Sequence, residues 1–177
     1  MARKILAFLT ILLGASTSLI YLYYVPSHLR LSITDPPPSQ YDNSITAIYV
    51  NLTEIDIHAA GAGNSSGWHT VTTSISLNLL SVLGTSKLLG TTQLPPGTYS
   101  EIRFITSQVI ITINGTNTLY TIPSGNQTGI KVQITGGGFH VYGGQTIAVQ
   151  LDLSFNNNEI MNNPNHTLNP VATATLV

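Results

Sequence analysis

From Leu29 to the end of the chain, apolar residues recur at every second position over short stretches separated by Gly, Pro and Asn. A period of two is the mark of a strand with one face in a core and the other in water. Leu29, Leu31 and Ile33 alternate with Arg30, Ser32 and Thr34, and Asp35-Pro36-Pro37-Pro38 ends that strand because proline has no N–H for a ladder. Ser44 to His58 reads as a long strand bent near Thr53–Glu54, with Ile48, Val50, Leu52, Ile55 and Ile57 as its core face. Gly61 to Gly67 is a loop, Trp68–Thr73 a short strand, and Ile75, Leu77 and Leu79 lead into Leu80–Leu83, a strand end or a single helical turn. Leu94–Tyr99 is a turn that launches Tyr99–Thr106. Val109–Ile113 and Leu119–Ile122 form a hairpin about Asn114-Gly115, the dipeptide best suited to a tight two-residue turn. Gly129–Thr135, Phe139–Tyr142, Thr146–Phe155 and Val171–Val177 complete the set, with a polar loop, Asn156–Asn169, before the last. About ten strands, no convincing helix and no internal repeat predict a single all-β sandwich over 31–177.

The N-terminus breaks this pattern. Arg3 and Lys4, the apolar run Ile5–Leu13 and the small residues Gly14 to Ser18 have the order of an export signal, which puts the rest of the chain outside the cell. Leu19-Ile20-Tyr21-Leu22-Tyr23-Tyr24-Val25 then follows, apolar and aromatic, ahead of the folded part. Residues 19–33, with Leu29, Leu31 and Ile33, suit a segment donated as a strand to a neighbouring copy, where main-chain hydrogen bonds and alternate side chains would hold it. The other reading is an uncleaved anchor over 5–25, long enough to span a bilayer, with Tyr21, Tyr23 and Tyr24 at its interface. A third is an ordinary signal followed by an intramolecular first strand.

Composition narrows the function classes. Charged residues are 7% of the 177, against roughly 25% in an ordinary soluble domain. Without the signal, Arg30, Lys87, Arg103 and Lys131 face seven acidic residues, so no basic patch exists for nucleic acid. A surface of Ser, Thr, Asn and Gln keeps its hydrogen bonds when carboxylates are protonated and so suits acidic surroundings. Cysteine is absent, which leaves the core and self-assembly as sources of stability.

The stretch from Leu31 onward resembles a family of archaeal and bacterial cell-surface domains of unknown function. The resemblance rests on "SITDPP" at Ser32–Pro37, "ITAIYVNLTEIDIH" at Ile45–His58, "GWHTV" at Gly67–Val71, "LLGTTQLPPGTYSEIRF" at Leu88–Phe104, "IPSGNQTGIKV" at Ile122–Val132 and "NPV" at Asn169–Val171. It implies a carbohydrate-binding-like, transthyretin-like or immunoglobulin-like sandwich, and no common activity. With the export signal, scarce charge and abundant Asn, Ser and Thr, the chain also looks like a subunit of archaeal thread filaments. That likeness implies head-to-tail joining by a donated N-terminal strand, with other copies of the chain as partners.

The residues that could carry chemistry point the same way. Asn51, Asn64, Asn114, Asn126 and Asn165 open Asn-X-Ser/Thr sequons, all but Asn51 in predicted turns or loops, and are expected to carry N-glycans. Asp56, His58 and His69 are brought together only if distant strands adjoin, and no local metal-ligand spacing appears. No serine sits in a G-x-S-x-G elbow, and seven dispersed acids do not assemble a carboxylate pair. No enzyme activity, metal or cofactor is expected. Trp68 is read first as a core-edge residue and second as a platform for a sugar ring. Tyr99, after Pro-Gly-Thr, is expected to tie its turn to the backbone through its hydroxyl. Gly136–Gly138 reads as a loop or a place where another backbone comes close. The expectation is an extracellular, glycosylated filament subunit; the alternative is an anchored or secreted surface module that binds glycan or mediates adhesion.

Overall fold

The alternating stretches become two β-sheets stacked face to face around one apolar core. The computed structural model describes residues 25–34, 41–63, 65–106, 108–123 and 125–177. In chain order the elements are β1 (Ser27–Thr34), β2 (Ile45–Ala59), β3 (Trp68–Asn78), β4 (Lys87–Leu94), β5 (Gly97–Ile105), β6 (Gln108–Ile113), β7 (Thr116–Thr121), β8 (Ile130–Gln133), β9 (Phe139–Val141), β10 (Thr146–Phe155), α1 (Asn157–Asn162) and β11 (Pro170–Leu176). The smaller sheet has the order β11-β10-β1-β4; the larger runs β7-β6-β2-β5-β8, with β3 paired to β2 and β9 to β5.

The larger sheet is organised by β2. One edge of β2 pairs with β3, and the other pairs with β6 over Ile45–Val50 and then with β5 over Glu54–Ala59. Thus β5 and β6 form one interrupted line beside β2, and the change of partner falls at residues 51–53, where the sequence predicted a bend. Asn114 and Gly115 both take positive φ, 49° and 79°, the geometry of a type I′ turn whose twist matches that of the strands it joins. The two strands expected on either side of Ser74 are a single β3: Ser74 adopts φ 55°, yet Leu52–Ile75 and Glu54–Thr73 keep one register across it, and the shift in the pairing falls between Ile55 and Asp56.

Inward alternation supplies the core. Leu29, Leu31, Ile33, Val149, Leu151 and Leu153 from the smaller sheet meet Ile48, Val50, Ile55, Ile57, Ile102 and Phe104 from the larger, all of them buried. Each such side chain contributes roughly 1.5–3 kcal/mol by leaving water. Tyr99 is buried with them, and its hydroxyl donates to the Pro95 carbonyl at 3.0 Å, so the expected corner is present. Gly138 lies where β5 passes: a Cβ there would stand 2.1 Å from the Tyr99 carbonyl oxygen, so the close backbone approach expected of this glycine run is met.

Two elements depart from the sequence reading. β4 was not foreseen as a strand. The polar loop 156–169 contains α1, capped by the Asn156 side chain accepting from the Asn158 N–H at 2.8 Å. The turn after β3 is a 3-10 helix, Leu79–Val82, capped by Asn78.

Candidate assembly interface

The first strand was read as part of the segment given to a neighbour. In the structure Leu29, Leu31 and Ile33 instead fill the chain's own sheet. β1 runs parallel to β10, with His28 to Thr34 opposite Thr146 to Asp152, and antiparallel to β4, with Ser27 to Ile33 opposite Leu94 to Lys87. The physical reason is the strength of the alternation: three consecutive inward side chains, each fully buried, match a slot bounded on both sides by strands with free ladders. The head therefore begins at Ser27, not at residue 31, and among the described residues the smaller sheet consists of β11, β10, β1 and β4.

The start of β1 is clamped. The buried Ser27 hydroxyl donates to the Tyr142 carbonyl and accepts from the Gln145 N–H at 3.0 Å. His28 N–H donates to the Gln145 carbonyl at 2.8 Å, and Gly144 N–H to the Val25 carbonyl at 3.0 Å. These bonds fix where the N-terminal segment leaves the sandwich: beside the β9–β10 turn, at the pole where β2 ends and β5 begins. Leu19 to Tyr24, the rest of the expected donor segment, lie outside the described residues, as do the expected export signal and most of the alternative anchor. No helix among the described residues is long and apolar enough to cross a membrane.

At the opposite pole, where β1 ends and β2 begins, α1 and the loop after it stand off β7 and leave an open cavity of about 580 Å³. Ile113, Thr118, Tyr120, Ile160, Met161 and His166 are among its lining residues. The Tyr120 hydroxyl donates to the Ile160 carbonyl at 2.7 Å, and the His166 ring meets the Tyr120 ring edge-on at 5.1 Å. The loop is tied down by the Asn169 N–H and side chain donating to Glu159 at 2.9 and 3.2 Å. Sequence reasoning missed this site because it took the Asn-rich stretch as loop; the one available signal was Asn156 three residues before Glu159, a helix-start pattern.

The outer face of the larger sheet holds much of the protein's charge. Arg103 donates to Asp56 Oδ2 from Nε at 3.1 Å and Nη2 at 2.6 Å, and Nη2 lies 3.7 Å from Glu54. Lys131 is 3.6 Å from Glu101. Trp68 sits half-buried over this group, with the Arg103 guanidinium 4.3 Å and the Lys131 ammonium 5.4 Å from its ring and the His58 ring 4.5 Å away. Trp68 was expected at the core edge; it lies instead on the outer face, because it stands opposite the outward-facing His58 of β2. Hydrogen bonding with Asp56, then its charge, raise the Glu54 carboxyl above its ordinary value against the pull of Arg103. Strand alternation separates the three residues considered as metal ligands. Asp56 and His58 lie on this outer face, whereas His69, opposite Ile57, points inward to meet Tyr99 edge-on at 5.7 Å. Among the described residues no group of three or more His, Cys, Asp or Glu is placed to hold a metal ion.

Four sequon asparagines fall among the described residues, and all are exposed: Asn51 in β2, Asn114 at the tip of the β6–β7 turn, Asn126 in the turn before β8 and Asn165 in the loop after α1. Asn64 lies outside them.

No curated protein and no solved structure matches the chain. One family model does, that of "Domain of unknown function (DUF4382)", over residues 27–170. Its limits fall on the first residue of β1 and the first of β11, so the sandwich is the matched unit. The chain is therefore a member of the DUF4382 family.

Proposed function

We propose that this chain is the structural subunit of an extracellular filament of the archaeal thread kind, N-glycosylated and joined head to tail through its N-terminal segment. One observation carries the reading. Among the described residues β1 is paired on both edges, with β10 and β4, yet the chain places the apolar run Leu19–Val25 just before it. A segment of that composition is costly to leave in water, and the four-stranded sheet offers it no vacant central position. Burial against a second copy meets the need. Because the giving and receiving surfaces differ, such a contact propagates into an open polymer instead of closing as a dimer.

The scarcity of charge supports the same role, since subunits of low net charge come together with little repulsion. Of the exposed sequons, Asn51 and Asn126 lie away from the β7–α1 pole and would coat the filament's sides with glycan. The competing function, a surface module that binds glycan, draws on Trp68, whose ring is engaged by Arg103.

Electron micrographs of material exported by cells expressing the full chain test this reading. Filaments are expected, and deletion of Leu19–Val25 should abolish them while leaving a folded, soluble sandwich. Filaments persisting after that deletion would refute the role of the segment. An N-terminus still at Ala2 in the mature protein, read by mass spectrometry, would favour an anchor.

A further inference from the structure

We propose that the acceptor for Leu19–Tyr24 is the cavity between β7 and α1, together with the free edge of β7, on a second copy of the chain. This inference rests on the filament reading above and names the surface that reading leaves unassigned.

Three observations converge. The first is position. Val25 is held at the pole formed by the β9–β10 turn, while the cavity lies at the other pole, beyond the end of β10. Tyr120, the cavity residue nearest the middle of the sheet, pairs with Val109 and so lies level with Val50, with the Glu54–Ala59 half of β2 beyond it. At about 3.3 Å per residue that is roughly 30 Å from the Ala59 end. The segment Leu19–Val25, fully extended, reaches at most about 21 Å from Val25. It falls short of its own cavity even on a straight path, but two copies stacked pole to pole bring one segment to the other's cavity.

The second is an unsatisfied ladder. Thr121 uses its outward backbone groups: its N–H donates to the His166 carbonyl at 2.8 Å, and its carbonyl accepts from the Leu168 N–H at 2.9 Å. By strand alternation Asn117 and Leu119 turn the same groups outward, and among the described residues no backbone partner meets them. An edge of this kind is a template for an added strand. The third is lining. Ile113, Ile160, Met161 and the Tyr120 ring offer apolar contact beside that edge, with Met161 exposed there; Leu119 is exposed on the opposite face of the same edge strand. The occupant fits in kind: Leu19 to Tyr24 are β-branched, leucine or tyrosine, the residues that suit a pleated, half-buried strand.

The chain has no cysteine, so paired substitutions report contact cleanly. The double variant Tyr21→Cys with Leu119→Cys, exported as the full chain and oxidised, should give a ladder of disulfide-linked multimers on denaturing electrophoresis. The control is Tyr21→Cys with Leu176→Cys, which places the second thiol on β11, also exposed; it should give no ladder. Separately, Met161→Asp puts a charge into the cavity and should raise the concentration needed for assembly about tenfold or more without changing the monomer's unfolding midpoint. Filaments with the ladder at Leu176, or filaments indifferent to Met161→Asp and lacking the Leu119 ladder, would overturn the acceptor site while leaving the filament standing. Absence of filaments from the unaltered chain would overturn both.

Discussion

Replacing Leu31 by alanine tests where β1 belongs. Leu31 is fully buried at the middle of a central strand, opposite Val149 on one side and Gly90 on the other. The glycine leaves no side chain on that flank to collapse into the space. Removing the buried methyl groups should therefore fall in the middle of the range for leucine truncations, about 3 kcal/mol. With a urea dependence of about 2 kcal/mol per molar for a domain of this size, the midpoint should drop by about 1.5 M. The assay is urea unfolding followed by Trp68 fluorescence, on a chain lacking Leu19–Val25 so that assembly does not contribute. It is run at two protein concentrations about a hundredfold apart. If β1 is held by its own head, both proteins unfold at midpoints independent of concentration. A midpoint that rises with concentration would show that the slot is filled by another copy's β1 and refute the intramolecular assignment, and a loss below about 1 kcal/mol would refute the burial of Leu31.

Other consequences are equally direct. Arg103→Met strands the Asp56 carboxylate, 1% exposed, and should cost about 3 kcal/mol at neutral pH by the same unfolding assay; a loss under about 1 kcal/mol would show the pair to be dispensable. Gly138→Ala sets a methyl group 2.1 Å from the Tyr99 carbonyl oxygen at a φ of 102°, and should destabilise the head by more than about 2 kcal/mol. Acid should be well tolerated. Hydrogen bonding with Asp56 raises Glu54, and burial raises Asp152, so their contributions are full below the ordinary carboxylate range and are lost as pH rises through their raised values. Asp42, lowered by the Ser44 hydroxyl and N–H, acts in the opposite sense but is exposed. Thermal midpoints should hold between about pH 7 and pH 3, and Asp152→Asn should flatten the profile further; a steep fall toward acid would contradict this. Intact-mass measurement should show glycan additions that disappear one at a time in Asn114→Gln, Asn126→Gln and Asn165→Gln variants, and an unchanged mass at any of them would remove that site.

Much of the architecture was legible because its signals are local. The alternation of β1 and β10, the Asn114-Gly115 turn and the Tyr99 corner each follow from a few adjacent residues. β4 was not legible: Lys87-Leu88-Leu89-Gly90-Thr91-Thr92 lacks alternation and carries a glycine, which is there because the Val71 carbonyl of the neighbouring sheet would lie 2.9 Å from a Cβ. That requirement exists only in the folded state. α1 was hidden by asparagine, a poor helix former that here serves as cap and as linker between turns. The exposure of Met161 is a tertiary property, so the cavity it lines could not be read from the chain. The placement of β1 shows the limit from the other side. Its strand character was evident, but which copy supplies its neighbours depends on contacts more than a hundred residues away in sequence.

That separation has a kinetic consequence. The first strand among the described residues has as its parallel partner the next-to-last, so for most of synthesis it has only β4 to pair with. Closing so large a loop is slow compared with forming hairpins such as β6–β7. The inward face of β1 therefore stays partly uncovered until β10 has been made, and the prolines at 36–38 cannot donate to a ladder that would lengthen this strand. Closure of the smaller sheet around β1 must wait for β10, delivered late in the chain.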